Sequence, residues 1–216
     1  MRTRLWVSAV LGMVLLAGCS GGNDTAPKPS TTTAAASEVG QPGEPWRDDT
    51  KSAAAEGKVG GAGTPCALPV TFDLAKAWKP KAVAADTSSP LAGLTNQGGL
   101  STRCEIDAKP AGNIGYLRVW AGAPATDKPR QLLEKFLAGE KNISGSQYRE
   151  ATVGGLPAAE VSYLKKSLDS TKKERALLVV TPAGPVLLHL GGLDSEEHDA
   201  MLPAYFLAKR SLSATA

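Results

Sequence analysis

Histidine is scarce in this sequence, with only two among 216 residues, His189 and His198. Any catalytic scheme that needs a histidine base must use one of them. His189 lies in the apolar segment VLLHL, where a buried, hydrogen-bonded structural histidine is the simpler interpretation. The chain also lacks a Walker phosphate-binding loop and an H-E-x-x-H zinc motif. We therefore expect that the protein is not an enzyme.

The second histidine follows a run of acidic residues in the segment GLDSEEHD. Here His198, Asp194 and Glu197 offer nitrogen and oxygen donors of the kind that bind cations. Adjacent side chains diverge on a helix, and acidic residues in a first helical turn are ordinary compensation of the helix dipole. We therefore expect neither a metal nor a cofactor, and these three residues are the candidates should a cation bind.

Neither sign of charge dominates, since 24 Lys and Arg residues face 21 Asp and Glu residues. Loss of residues 1–18 would remove Arg2 and Arg4 and leave a net charge of +1. A nucleic-acid-binding domain carries a clear basic excess or patch, so no nucleic-acid partner is expected. The densest basic segment, YLKKSLDSTKKER (163–175), is interpreted as a solvated loop or hairpin end, and contact with anionic lipid or a wall polymer is the alternative.

Long hydrophobic runs are missing as well. The apolar segment from Leu5 to Leu16 has about a dozen residues, whereas a membrane-spanning helix needs about 20. Two arginines precede it, and the small residues Ala17 and Gly18 follow it directly before Cys19. A basic start, a short apolar core and a small-residue cleavage site are typical of a secretory signal peptide. Residues 1–18 are therefore interpreted as a targeting segment.

The tetrapeptide LAGC (16–19) resembles the lipobox of bacterial lipoproteins. In that family the cysteine thiol receives a diacylglyceryl group, and the cysteine becomes the first residue of the mature chain, where further acylation, for example with palmitate, strengthens the anchor. Two or more acyl chains hold a protein stably on a membrane. The resemblance implies that Cys19 is lipidated and that the protein is anchored at the outer face of the cell membrane. The alternative is an ordinary secretory signal with an incidental cysteine.

Three cysteines are present, and two remain once Cys19 is assigned to lipid. An even pair in a chain exported to an oxidising compartment favours a disulfide, so we expect Cys66 to be joined to Cys104. In the chain-entropy account, closing a loop of about 38 residues contributes about 3 to 4 kcal/mol. The alternative is a pair of buried free thiols.

Residues 19–65 contain a single aromatic residue, Trp46, and no apolar periodicity. Such a segment cannot bury enough apolar surface to offset the entropy lost on ordering, so it is interpreted as a disordered tether behind the lipid. Its reach is about 35 to 40 Å for a flexible chain of this length. PWRDD around Trp46 could be a docking motif, although an isolated aromatic residue in a linker is more often incidental.

Residues 66–216 suit one globular domain. Their patterns predict an α+β fold, a mostly antiparallel sheet with flanking helices, in which Pro203 kinks the last helix or starts another one. The predicted strands are LPVTFDL (68–74), TRCEIDA (102–108), IGYLRVWAG (114–122), QYREATV (147–153), PAAEVSYLKK (157–166), ERALLVVTP (174–182) and GPVLLHLGG (184–192), and the predicted helices are DKPRQLLEKFLAGE (127–140) and DSEEHDAMLPAYFLAKRSLS (194–213).

This order of elements resembles the Mog1/PsbP-like fold, as in actinobacterial lipoproteins of the LpqN type. Three segments carry the resemblance: PVTFDLAKAW (69–78), VGGLPAAEVSY (153–163) and LVVTPAGPVLLHLGG (178–192). A fourth, GPVLLHLGGLDSEEHDAMLPAY (184–205), resembles Streptomyces-type lipoproteins of unassigned role. The resemblance implies an α/β/α sandwich that binds or assembles with other proteins and has no shared active site.

Aromatic residues make up only 5% of the chain. Trp78, Tyr116, Trp120 and Tyr163 could line a groove for a small molecule or a lipid, but core positions are the simpler interpretation in a domain so poor in aromatic residues. The sequence thus predicts a monomeric, non-catalytic envelope module that binds a protein or a wall component. A small-molecule or lipid carrier and a metal-dependent enzyme using His189 and His198 are the alternatives.

Overall fold

The computed structural model describes residues 44–84, 95–167 and 170–215. The signal segment, Cys19 and the tether up to residue 43 lie outside the described residues. The described part contains strands β1 (Ala55–Val59), β2 (Val70–Ala75), β3 (Lys79–Ala82), β4 (Asn96–Gln97), β5 (Leu100–Asp107), β6 (Gly115–Ala121), β7 (Ile143–Val153), β8 (Leu156–Ser167), β9 (Ser170–Thr181), β10 (Gly184–Gly192) and β11 (Ser213–Ala214), with helices α1 (Pro129–Leu137) and α2 (Ser195–Ser211).

Most strands belong to one antiparallel sheet in the order β3-β5-β6-β10-β9-β8-β7, and β4 extends it by pairing with β5. The three hairpins predicted from the sequence are all present: β5 with β6, β7 with β8, and β9 with β10. The uninterrupted apolar runs of β9 and β10 place these strands inside the sheet, buried on both faces. The predicted mostly antiparallel α+β architecture is therefore confirmed.

The sheet separates two apolar cores because successive side chains of a strand point to opposite faces. Leu187 of β10 belongs to the core beneath α1, whereas Leu188 belongs to the core that α2 covers. Strand β2 packs in the α2-side core through Val70 and Phe72. A helix thus covers each face of the sheet, which is the α/β/α sandwich that the resemblance implies.

Helix α1 begins with Pro129, a residue suited to the first turn because its missing N–H would have no partner there. The predicted start at Asp127 is slightly early, since Lys128 is the capping residue and its N–H donates to the side chain of Gln131 over 3.0 Å. The predicted apolar stripe is confirmed, and its members pack on the sheet: Leu132, Leu133, Phe136 and Leu137.

Helix α2 is capped by Asp194, whose carboxylate accepts the backbone N–H of Glu197 over 2.8 Å. The alternative that Pro203 starts another helix is wrong, because one helix continues through this residue to Ser211. The kink at Pro203 stays a prediction. The apolar side chains on both sides of Pro203 are buried in the core, and this packing offsets the loss of one backbone hydrogen bond.

A small second sheet, β1-β2-β11, closes the α2 side. The structure joins Cys66, just before β2, to Cys104 of β5, with their Cα atoms 5.7 Å apart. Both cysteines are buried, so the bond ties the small sheet to the large one inside the core.

The folded part extends upstream of Cys66, which corrects the predicted tether boundary. Residues 44–52, here called the strap, lie against the α2 side of the domain. Arg175 of β9 donates to the carbonyls of Pro45 and Trp46, the latter over 2.7 Å. Arg210 of α2 donates to the carbonyl of Asp48 over 2.8 Å. The strap and β1 therefore belong to the domain, and the tether prediction now concerns residues 19–43.

Candidate functional site

A cleft of about 980 Å³ opens on the α1 side of the large sheet. Thr102, Trp120 and His189, from three neighbouring strands, contribute to its lining and are almost fully buried. The segment that follows α1, residues 139–142, lines it as well, as do the ends of β8 and β9. This is the size range of small-ligand sites in proteins.

A hydrogen-bonded triad supports this part of the cleft. The hydroxyl of Tyr163 donates to Glu174 Oε2 over 2.8 Å, and His189 Nε2 lies 2.9 Å from that hydroxyl and 3.1 Å from Glu174 Oε2. Since both neighbours contact Nε2, this nitrogen of His189 is satisfied, in agreement with the structural interpretation that the sequence favours. It nevertheless forms part of the cleft surface.

The electrostatics of the triad keep each group in a fixed role. Burial opposes ionisation of Glu174, but the hydrogen bond from His189 and the charge of Lys172 outweigh it and hold the pKa of this carboxyl well below its usual range. Burial and the nearby carboxylate raise the pKa of Tyr163 far above its usual value. Glu174 is therefore a permanent acceptor and Tyr163 a permanent donor at neutral pH.

Each carboxylate of the cleft is already paired with a cation. Arg118 Nε donates to Glu105 over 2.7 Å, and Lys172 Nζ lies 2.9 Å from Glu174. The third pair joins Lys165 to Glu140. Burial opposes ionisation of Glu140, but this lysine and a hydrogen bond from Gln97 lower the pKa of its carboxyl.

Two further lysines of the cleft, Lys141 and Lys166, have no carboxylate at ion-pair distance among the described residues. Both are exposed, so they form a cationic rim. Lys141 and Lys166 are not needed as hydrogen-bond donors to the C-terminal end of α1. There the carbonyl of Phe136 already accepts from the N–H of Gly139 over 3.1 Å and from the side chain of Gln97 over 2.9 Å. The excess positive charge is thus available to an anion.

The four aromatic residues considered as a ligand groove do not meet in one place. Trp78 is buried in the α2-side core, while Trp120 and Tyr163 lie in the α1-side core. Tyr116 is exposed near the start of β6, on the same face of the sheet as Trp120. The sheet separates Trp78 from the other three residues, so the four do not line one shared groove. Trp120 alone lines the cleft, and its indole Nε1 has no acceptor among the described residues.

The candidate metal residues have structural roles. Asp194 caps α2, and Glu197 accepts the backbone N–H of Ile114 over 3.0 Å. His198 is 2% exposed, and burial lowers its pKa to about 3, so the ring is neutral. It belongs to α2, whereas His189 faces the α1 side, so the two histidines form no common site. Within the described residues no three potential metal ligands come together.

A buried charge cluster on the α2 side is absent from the sequence-based predictions. Glu160 of β8 is fully buried and accepts from Tyr205 over 2.6 Å, Lys209 over 2.7 Å and Arg149 over 2.7 Å. Arg175, expected in an exposed basic segment, is 1% exposed and lies 3.7 Å from the same carboxylate. One sequence signal points to it: Glu160 stands alone in the apolar strand PAAEVSY, and a buried carboxylate requires cationic partners.

None of the helices within residues 44–84, 95–167 and 170–215 is long and apolar enough to cross a bilayer. None of the curated proteins matches the chain.

Solved structures similar to the chain include cyanobacterial PsbP (CyanoP) from Synechocystis sp. PCC 6803, with 12% identity over 73% of this chain and 97% of that chain, at a TM-score of 0.45. LpqN, involved in cell envelope biogenesis of Mycobacterium tuberculosis, has 16% identity over 74% of this chain and 90% of that chain, at a TM-score of 0.43. A third similar structure is PA94 from Pseudomonas aeruginosa, a protein of unknown function described as a putative regulator. It has 13% identity over 68% of this chain and 92% of that chain, at a TM-score of 0.40. Likeness at these scores carries no inference about the role of this chain.

The sequence itself gives a family assignment. The family model described as "uncharacterised lipoprotein" matches residues 33–212, which include the strap, both helices and every strand except the short β11. The match thus covers nearly all of the domain described above. The chain belongs to this family of uncharacterised lipoproteins.

Proposed function

We propose that this lipoprotein is a non-catalytic binding module of the cell envelope, anchored at the outer face of the membrane through Cys19, which acts by holding a partner in the cleft. The observation that carries the proposal is the charge of the cleft. Its three carboxylates are paired, and Lys141 and Lys166 have no carboxylate partner within the described part of the chain. The lipobox resemblance of residues 16–19 and the family assignment support the anchored location.

The state of the cleft residues favours binding over catalysis. A general base must be able to take a proton from the substrate, and Nε2 of His189 is not available for this, because it is engaged by Tyr163 and Glu174. The strongly lowered pKa of Glu174 makes this carboxylate a poor proton acceptor at neutral pH. Groups that satisfy each other in this way form a fixed surface, which suits recognition.

The position of the strap supports presentation of the cleft to a partner. Lys173 Nζ lies 3.1 Å from both Glu44 and Asp199, so the start of the strap is fastened to α2. The strap therefore begins on the α2 side, on the opposite face of the large sheet from the cleft. A monomeric domain on a flexible tether would meet an envelope protein or a wall component in this way.

Site-specific photo-crosslinking in intact cells tests the proposal. A photoreactive residue replaces Ser167, which lines the cleft, and a matched control replaces Ala62, which is exposed in the turn before β2. We expect an envelope adduct at position 167 that is absent at position 62 and lost when Lys141→Glu and Lys166→Glu are combined. Equal adducts at both positions, or none at position 167, would contradict a role for the cleft.

A further inference from the structure

A second groove of about 320 Å³ lies beside the cleft and carries an apolar surface. Its large hydrophobic residues are Ile114, Tyr116 and Leu193, here called the shelf. Their exposed fractions are 54%, 37% and 59%. Leu164 is the only other large hydrophobic residue that is exposed in the described part of the chain. Single exposed apolar residues are ordinary, but three in one groove point to something that covers them.

The shelf and the cleft form one continuous surface. Both are lined by Arg118, Ser167, Lys172 and Glu174. The guanidinium of Arg118 lies 5.0 Å from the centre of the Tyr116 ring while it pairs with Glu105, so this arginine holds the aromatic ring at the junction. A ligand with its charge in the cleft could therefore extend directly onto the shelf.

The backbone of the shelf is fixed before any ligand arrives. The N–H of Leu193 donates to the carbonyl of Ile114 over 2.9 Å, and the N–H of Ile114 donates to Glu197 over 3.0 Å. Glu197 is held in the first turn of α2. Because these residues need no ordering, more of the free energy of apolar burial remains for binding.

We infer that the cleft and the shelf together bind one anionic amphiphile, a molecule with a negatively charged head group and an acyl chain. The rim lysines Lys141 and Lys166 attract the head group, and the shelf covers the chain. This rests on the proposed function, because it identifies the partner held in the cleft. A single amphiphile fits better than a bilayer surface, since the almost fully buried Trp120 and His189 lie in the cleft lining, which a flat surface would not reach.

Calorimetric titration of the mature chain with three probes tests the inference. Dodecyl phosphate below its micellar concentration supplies head and chain, inorganic phosphate supplies the head alone, and dodecyl maltoside supplies the chain with an uncharged head. We expect dodecyl phosphate to bind at least about tenfold more tightly than either of the others, since charge attraction and chain burial add.

Two double variants and one control show which residues bind the head group of the ligand and which cover its acyl chain. Combining Lys141→Glu with Lys166→Glu should weaken dodecyl phosphate binding by about tenfold or more, since two charges that attract the head group are replaced by two that repel it. Combining Ile114→Ser with Leu193→Ser should weaken dodecyl phosphate binding but leave phosphate binding unchanged. The matched control combines Lys51→Glu with Lys109→Glu, two exposed lysines outside the cleft, and should bind as the wild type does. Thermal unfolding checks that each variant is folded.

Three results would overturn the inference. The first is equal affinity for phosphate and dodecyl phosphate, and the second is an unchanged affinity in the rim-lysine variant. The third is binding to phosphatidylglycerol vesicles with no binding of monomeric dodecyl phosphate, which would indicate a membrane-docking surface instead. The proposed function is judged separately: a cleft-specific crosslink to a protein or a wall component at position 167 would uphold it even when no amphiphile binds.

Discussion

At the scale of single residues, the buried carboxylate of Glu160 organises the α2 side of the domain. It receives hydrogen bonds from Tyr205, Lys209 and Arg149. Burial opposes its ionisation, but the charge and hydrogen bond of Lys209 and the other partners outweigh this and lower the pKa of the carboxyl. Removing one charge from a buried ion cluster leaves its partners uncompensated in an apolar environment.

The substitution Glu160→Gln tests this role. We expect the free energy of unfolding to fall by about 3 kcal/mol, because Lys209 and Arg149 lose their counter-charge. The matched control is Glu105→Gln, whose pair with Arg118 is more than one-third exposed and contributes less than about 1 kcal/mol. Urea unfolding of both variants gives the comparison, and equal losses would show that burial of Glu160 is unimportant.

His198 makes the stability of the domain depend on pH. Its pKa is about 3 in the folded chain, mainly through burial, against about 6.5 when unfolded. The unfolded chain therefore gains a proton first, so this contribution to stability is complete above pH 6.5 and is lost as pH falls toward 3. Four charged or titratable groups also act on the ring: Arg175, Glu174, Lys173 and His189.

The substitution His198→Gln isolates this effect, because the carboxylates are common to both proteins. We expect the difference in unfolding free energy between wild type and variant to shrink by about 2 to 3 kcal/mol between pH 7 and about pH 4.5. Urea unfolding across this range measures it. Parallel curves for the two proteins would mean that His198 takes up its proton at the same pH in the folded and the unfolded chain.

At the scale of elements, the strap is held by contacts that differ from those of the strands. Its carbonyls accept from arginines of β9 and α2, and its side chains form ion pairs such as the one from Arg149 to Asp48. Arg149 also lies 4.3 Å from the centre of the Trp46 ring. The aromatic residue that looked incidental in a linker is thus part of the attachment.

Truncation measures the contribution of the strap. A chain that begins at residue 44 should unfold with the same free energy as the mature chain. A chain that begins at residue 53 should lose at least about 2 kcal/mol, because the buried guanidinium of Arg175 loses the carbonyls of Pro45 and Trp46 as acceptors. Urea unfolding gives both values, and equal stability of the two truncated chains would contradict a structural role for the strap.

The hairpins and helices could be predicted because each has a local signature. Alternating or continuous apolar residues around short turns indicate paired strands, and the stripe ending at Leu137 indicates a helix face. The strap could not be predicted in this way, because its polar residues show no periodicity and its partners are more than 100 positions away. The cleft was missed for a similar reason: the basic segment around Lys166 was visible, but the pairing of strands decides which lysines keep a free charge.

At the scale of the whole molecule, the bond between Cys66 and Cys104 joins the two sheets. We expect the double substitution Cys66→Ala, Cys104→Ala to lower the free energy of unfolding by about 3 to 4 kcal/mol, mainly because the unfolded chain regains the entropy of an open loop. Intact mass after alkylation without reductant should show no modified thiol in the purified domain. Alkylation at both positions would mean that the pair stays reduced.

A lipid anchor at Cys19 would determine where the whole molecule acts. The lipobox resemblance predicts that Cys19 carries the lipid, and the substitution Cys19→Ala should therefore abolish both fatty-acid labelling and membrane association in cells. The match to a lipoprotein family supports this expectation. The matched control substitutes Ser20→Ala, next to the anchor, and should keep label and location. Equal labelling of the Cys19 variant would contradict the prediction and would leave the domain without the attachment on which its proposed envelope role depends.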